Sequence, residues 1–175
     1  MNKLEKSMRQ ILQHYNPQKY WKLRQRVIGK NRYPKIIKLF YLFYIKRCDA
    51  FNNASLGTHI GYGATFDSPP NFPHGLYGII VSHNAHIGKN STIFHQVTIG
   101  EGAGGAPTIG DNCLIGAGAK IIGKIRIGNN VKIGTNCVVV EDIPDNATVV
   151  LSKPRIIIKQ KNSQKNLINF NLSNS

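Results

Sequence analysis

Two histidines stand where a histidine could do chemistry. His74 follows Pro73 in "NFPHGLYGIIV" and His95 sits in "FHQVTIG". A neutral hydroxyl is a poor nucleophile, and an imidazole within hydrogen-bond reach can take its proton near neutral pH, contributing roughly 10²- to 10⁴-fold to a rate. His74 is the candidate base, and His95 the candidate second catalytic group or substrate contact at the same cleft. Asp67 could orient His74 through the other ring nitrogen, since a carboxylate partner fixes the tautomer and stabilises the imidazolium. His83 and His86, three apart in "SHNAHIG", would need a third convergent ligand to hold zinc. They are read as solvated corner residues, and no metal is expected. His14 and His59 offer no argument.

The elements that must position these groups are announced by a period of six. From residue 109 to 140 an aliphatic side chain returns at Ile109, Ile115, Ile121, Ile127, Ile133 and Val139. A helix buries positions 3.6 apart and a strand alternates in twos, so a sustained six belongs to a stack of short strands and corners. A second small or apolar row runs through Cys113, Ala119, Ile125, Val131, Cys137 and Ile143. Glycine follows the aliphatic residue at 110, 116, 128 and 134, which predicts corners of positive φ. The same phase recurs at Val81, Ile87, Ile93 and Ile99, with Ala85, Ser91 and Val97 as the second row. Four extra residues in "GEGAGGAP" (100–107) and a second interruption, "FDSPPNFPHGLYG" (66–78), are expected to leave the stack as loops, a usual place for a binding face. An upstream step is read at Ile60-Gly61 with Ala64.

The 175-residue chain carries a formal charge of +15. Residues 1–50 hold thirteen Lys or Arg against Glu5 and Asp49, a net +11, so the basicity is local. This stretch reads as helical with Pro17 and Pro34 as breaks. Within it, Ile36 to Ile45 is mostly apolar and flanked by Lys35, Lys46 and Arg47, too short to span a bilayer but adequate to rest on one. Peripheral membrane contact through this basic N-terminus is therefore one expectation; a solvated helical face or contact with a sister chain is the other. No helix-turn-helix, zinc finger or aromatic RNA-binding signature accompanies the charge, and no nucleic acid is expected. The opening "MNKLEKSMRQ" has no continuous apolar core, which points to the cytoplasm, at the inner membrane surface if the N-terminus docks there. Cys113 and Cys137 fall on the inward row and read as small buried hydrophobes. The division expected is a basic helical extension (1–52), a solenoid (53–158) and a polar, loose tail (159–175).

The repeat together with "HGLYGIIV", "VTIGEG" and "IGAGAKIIGKIRIGNNVKIG" resembles the hexapeptide-repeat acyltransferases, in the serine acetyltransferase-like branch that includes capsule and exopolysaccharide O-acetyltransferases. The resemblance implies a left-handed parallel β-helix, a homotrimer with active sites between subunits, and direct histidine-assisted transfer of acetyl from acetyl-coenzyme A to a hydroxyl. It places the coenzyme along "IGAGAK" and "IGTN", with Ala117 and Thr135 meeting the pantetheine arm and Lys120 nearby. The backbone from Gly100 to Gly105 would receive the thioester oxyanion. Lys153 and Arg155 in "LSKPRIII" would bind the nucleotide phosphates. Two departures stand out. The family's carboxylates near the base align with Pro73 and Asn53, and its Arg-His pair, which binds the acceptor's carboxylate, is replaced by Gly105 and Ala106. A sugar hydroxyl needs no such cation, so the expected acceptor is a carbohydrate or polysaccharide precursor, with serine O-acetylation for cysteine synthesis as the alternative.

Overall fold

The computed structural model describes residues 3–29 and 33–157. Three helices precede the solenoid: α1 (Lys3–Leu12), α2 (Pro17–Ile28) and α3 (Lys35–Phe51). Pro17 does not break α2 but starts it, its missing N–H costing nothing in the first turn, while Asn16 caps the helix by accepting from the Lys19 N–H at 3.0 Å. Pro34 stands directly before α3. The tail expected to be loose, 159–175, lies outside the described residues.

The solenoid is a left-handed β-helix of about five turns. Its short parallel strands stack into three four-stranded walls. The first holds Ile80–Val81, Thr98–Gly100, Lys120–Ile122 and Val138–Val139; the second Thr65–Phe66, His86–Ile87, Thr108–Ile109 and Arg126–Ile127; the third Thr92–Ile93, Leu114–Ile115, Lys132–Ile133 and Thr148–Val149. The period of six is the distance between walls, and each aliphatic residue sits in register above its equivalent: Val81, Ile99, Ile121 and Val139 form one column, Ile93, Ile115, Ile133 and Val149 another. Columns and second row are buried together, Cys113 and Cys137 included, except that Ile125, Ile143 and Val149 are partly covered.

Three sequence expectations are corrected here. Ile60 and Gly61 are not a coil; they turn an antiparallel hairpin that joins Thr58–His59 to Tyr62–Gly63. The span 66–78 is only partly an interruption, because Phe66 and Phe72 keep the spacing of six. Phe66 pairs with Ile87, Asn71 bridges to Thr92, and both aromatic rings pack against Trp21 of α2, which closes the end of the core. The chain leaves the stack only after Phe72.

The third concerns the corners. Gly110, Gly116, Gly128 and Gly134 have ordinary φ; the positive φ falls two residues further on, mostly on asparagine: Asn90, Asn112, Asn130, Asn136 and Asn146, with Gln96 and Gly118 at the equivalent corners. Glycine is required instead by crowding: a Cβ on Gly116 would come 2.7 Å from the Thr135 nitrogen and 2.8 Å from the Ile133 oxygen of the next coil. The asparagines tolerate the left-handed conformation and join side chains along one edge, Asn90 to Asn112 to Asn130 to Asn146, at 3.3, 3.2 and 3.0 Å.

Candidate active site

The interruption after Phe72 is pinned on both sides. Leu76 and Ile79 are buried in the core, the Gly78 N–H donates to the Asn52 carbonyl, and the Tyr77 carbonyl accepts from the Gln96 N–H. Gly75 and Gly78 take φ of +76° and +66°, values that let eight residues replace a short corner. This anchored loop presents His74 on the edge between the third and first walls. His95 occupies the same edge one coil further on.

The two imidazoles meet edge to face, with centroids 5.2 Å apart and planes 88° from parallel. Nδ1 of His95 is buried without a hydrogen-bond partner. A cavity of about 460 Å3 opens over the pair, lined otherwise by Leu12, Gln13, Phe51, Asn52 and Tyr77. The structure thus brings both sequence-chosen histidines to one cleft and roofs it with the ends of α1 and α3. Asn52 is fixed there by donating to the Gln13 carbonyl at 2.9 Å and the Cys48 carbonyl at 2.8 Å. No six-residue spacing signals these helix-end residues; only the docking of the helices on the first coil brings them in.

The edge continues as a ladder. The His95 carbonyl accepts from the Gly118 N–H and the Ala117 carbonyl from the Asn136 N–H, so Ala117 and Thr135 lie on successive coils along the histidine edge. Lys120, at the start of its strand, donates from Nζ to the Gln96 carbonyl at 2.8 Å. Gly100 is at the far end of the first-wall strand, and the loop beyond it closes on itself through reciprocal Gly102 and Gly105 hydrogen bonds on the edge between the first and second walls. Within one protomer this loop does not line the histidine cleft. Lys153 and Arg155 are exposed in the extended segment 151–157.

The orienting role given to Asp67 is overturned. Its Oδ2 lies 3.1 Å from Nε2 of His86 on the second wall, and no carboxylate lines the histidine cavity among the described residues. Asn53 is likewise not a lining residue; its neighbour Asn52 is. His83 and His86 diverge, for His83 packs edge-on against His59 and Tyr62. Burial first, then Lys46 and His83, holds the His59 imidazole below its ordinary pKa. Among the described residues no three His, Cys, Asp or Glu side chains cluster as a metal site. A larger concavity, about 550 Å3, lies on the second wall, but its carboxylates are already engaged: Asp67 with His86, Asp142 with the Arg126 N–H, Asp111 with the Lys89 N–H.

Residues 106–140 match the family model described as "Bacterial transferase hexapeptide (six repeats)". The chain is similar to the serine acetyltransferase of Helicobacter pylori 26695, 40% identical over 110 residues that make up 60% of each chain. It is also similar to that of Staphylococcus aureus Mu50, 42% identical over 108 residues, 59% of this chain and 50% of the relative. Among solved structures, the serine acetyltransferase of Brucella abortus S19 is similar with a TM-score of 0.62 and 30% identity, over 80% of this chain and 54% of that one. The Neisseria gonorrhoeae serine acetyltransferase in complex with serine is similar with a TM-score of 0.57 and 34% identity, over 78% and 54%. The chain spans 60% or less of the length of these relatives.

Proposed function

We propose, from the premise that this chain carries the hexapeptide repeat of the bacterial transferases, that it is an O-acetyltransferase using acetyl-coenzyme A, with L-serine as the first acceptor to consider. The observation that carries the reading is the His74–His95 pair, set in a cleft on the solenoid edge that runs on past Ala117 and Thr135. The similar proteins are named serine acetyltransferases, which favours serine over the carbohydrate expected from the sequence.

His74 takes the acceptor's hydroxyl proton as the oxygen attacks the thioester carbonyl. Collapse of the tetrahedral adduct breaks the C–S bond, and the proton returns from the imidazolium to the departing thiolate. His95, beside His74 on the cavity wall, offers the acceptor a hydrogen bond from the ring edge that faces the cleft and not from its buried Nδ1. Oxyanion donors come from the Gly100–Gly105 backbone of a neighbouring protomer in a trimer, because in its own protomer the loop lies on another edge. A homotrimer also accounts for the exposed apolar side chains of the first wall, Ile80, Val138 and Val140. Lys153 and Arg155 are assigned to the coenzyme's phosphates.

A carbohydrate acceptor is the second reading, favoured by one specific observation: among the described residues neither Lys nor Arg lines the histidine cavity, while the exposed ring of Tyr77 is there to meet a sugar. Release of free thiol from acetyl-coenzyme A, measured with L-serine and with a panel of sugars, separates the two. Turnover on serine supports the first reading; turnover on sugars alone overturns it in favour of the second. Release with neither refutes both.

A further inference from the structure

We infer that the outer face of α3 is a docking surface for an anionic lipid bilayer. The side of the helix that solvent reaches is apolar, while the side that packs buries Lys38 and Asp49 beside Ile45 and Cys48. Ile36, Leu39, Phe40 and Phe43, spaced as one helical face, are 65, 57, 71 and 70% exposed, far more than a monomer's surface needs. Further along the same face come Lys46 and Arg47, both exposed, and Lys35 stands at the start. α1 carries a second exposed apolar stripe in Leu4, Met8 and Ile11. No helix among the described residues is long and apolar enough to cross a membrane.

Charge decides which occupant covers the face. A second copy docked through it would bring one +11 N-terminal segment against another, and like charges facing across an apolar contact oppose association. A nucleic acid would meet the cations but leave two phenylalanines and two aliphatic side chains in water. An anionic bilayer satisfies both: the apolar side chains enter the boundary between headgroups and acyl chains, and the lysines and arginine remain at headgroup level.

Full-length protein is floated with phosphatidylcholine vesicles containing or lacking phosphatidylglycerol. Association is expected with the anionic vesicles only, weakening as salt rises. The pair Phe40→Ser and Phe43→Ser is expected to lower the partition coefficient about tenfold or more, and Lys35→Gln with Lys46→Gln to lower it as well. All four side chains are exposed, and circular dichroism melting checks that each variant is folded; Ile36→Ser with Leu39→Ser repeats the apolar test independently. No flotation with either vesicle, or equal flotation of the folded variants, overturns the inference. A loss of sedimentation mass in the phenylalanine variant with vesicle binding unchanged would instead assign the face to a second copy.

Discussion

Replacing Gly116 by Asn distinguishes the two physical reasons for a glycine after each aliphatic residue. If the position needed positive φ, asparagine would be tolerated, as it is at Asn112 and Asn130, whose φ are 58° and 56°. The structure gives the other reason. Any Cβ at 116 meets the next coil's backbone at 2.7 to 2.9 Å, about half an ångström inside ordinary contact. Those atoms cannot rotate away, because the Gly116 N–H donates to the Ile133 carbonyl at 2.8 Å and the coils are tied by the neighbouring ladder bonds. Relief requires opening the stack locally, with about 1 kcal/mol for each of one or two strained hydrogen bonds and about 1–3 kcal/mol for overpacking. Gly116→Ala and Gly116→Asn are therefore both expected to lose about 2–5 kcal/mol, a fall in Tm of roughly 4–20 °C. Gly134→Ala, whose nearest contacts are 3.0 Å to the Val149 oxygen and 3.4 Å to Cys137 Sγ, should lose less. Thermal melts by circular dichroism measure all three. Stability within about 0.5 kcal/mol of wild type for Gly116→Asn, with loss for Gly116→Ala, would refute the crowding argument.

Two further outcomes follow from particular side chains. Asp49, buried where α3 meets α2 and accepting the Tyr20 hydroxyl at 2.7 Å, has its carboxyl pushed by burial from 3.8 to about 6. An acid with a raised folded-state pKa holds its proton more tightly when folded, so this carboxyl's contribution to stability is full below pH about 4 and is lost, by up to ~3 kcal/mol, as pH rises through about 6. Asp49→Asn should flatten the dependence of Tm on pH across that window, and an unchanged slope would show that another group titrates there. Asp67→Asn, which removes the partner of His86 and not of His74, should leave kcat within about twofold of wild type; a loss of a decade or more would restore Asp67 to the catalytic machinery.

The stack was legible because its interior repeats one residue type at one spacing, from Val81 to Val139. Aromatic residues hid the first coil: Phe66 and Phe72 hold the same positions but escape a search for aliphatic side chains. Glycine at 110, 116, 128 and 134 stands out in the sequence but its cause does not, since crowding between coils is a contact across 15 to 19 residues and leaves no local mark. The asparagines that take the corners are marked in the sequence by one offset, three residues after Ile87, Ile109, Ile127, Ile133 and Ile143. His74 is legible from its chemistry, its place in an interruption and the resemblance of its surroundings to the family's catalytic histidine, and His95 from its place on the following coil. Gln13, Phe51 and Asn52 are not, because helix ends reach the cleft only through tertiary docking. Asp67 is hidden for a related reason: seven residues from His74 in the chain, it belongs to a different wall, where His86 of the next coil is its neighbour.

The kcat of His74→Ala in thiol release from acetyl-coenzyme A, with the binding of acetyl-coenzyme A followed by calorimetry, tests the central claim most directly. Loss of about two to four decades in kcat with the coenzyme's Kd unchanged is expected of an imidazole that removes the acceptor's proton. Undiminished turnover in a variant that still binds the coenzyme would contradict it.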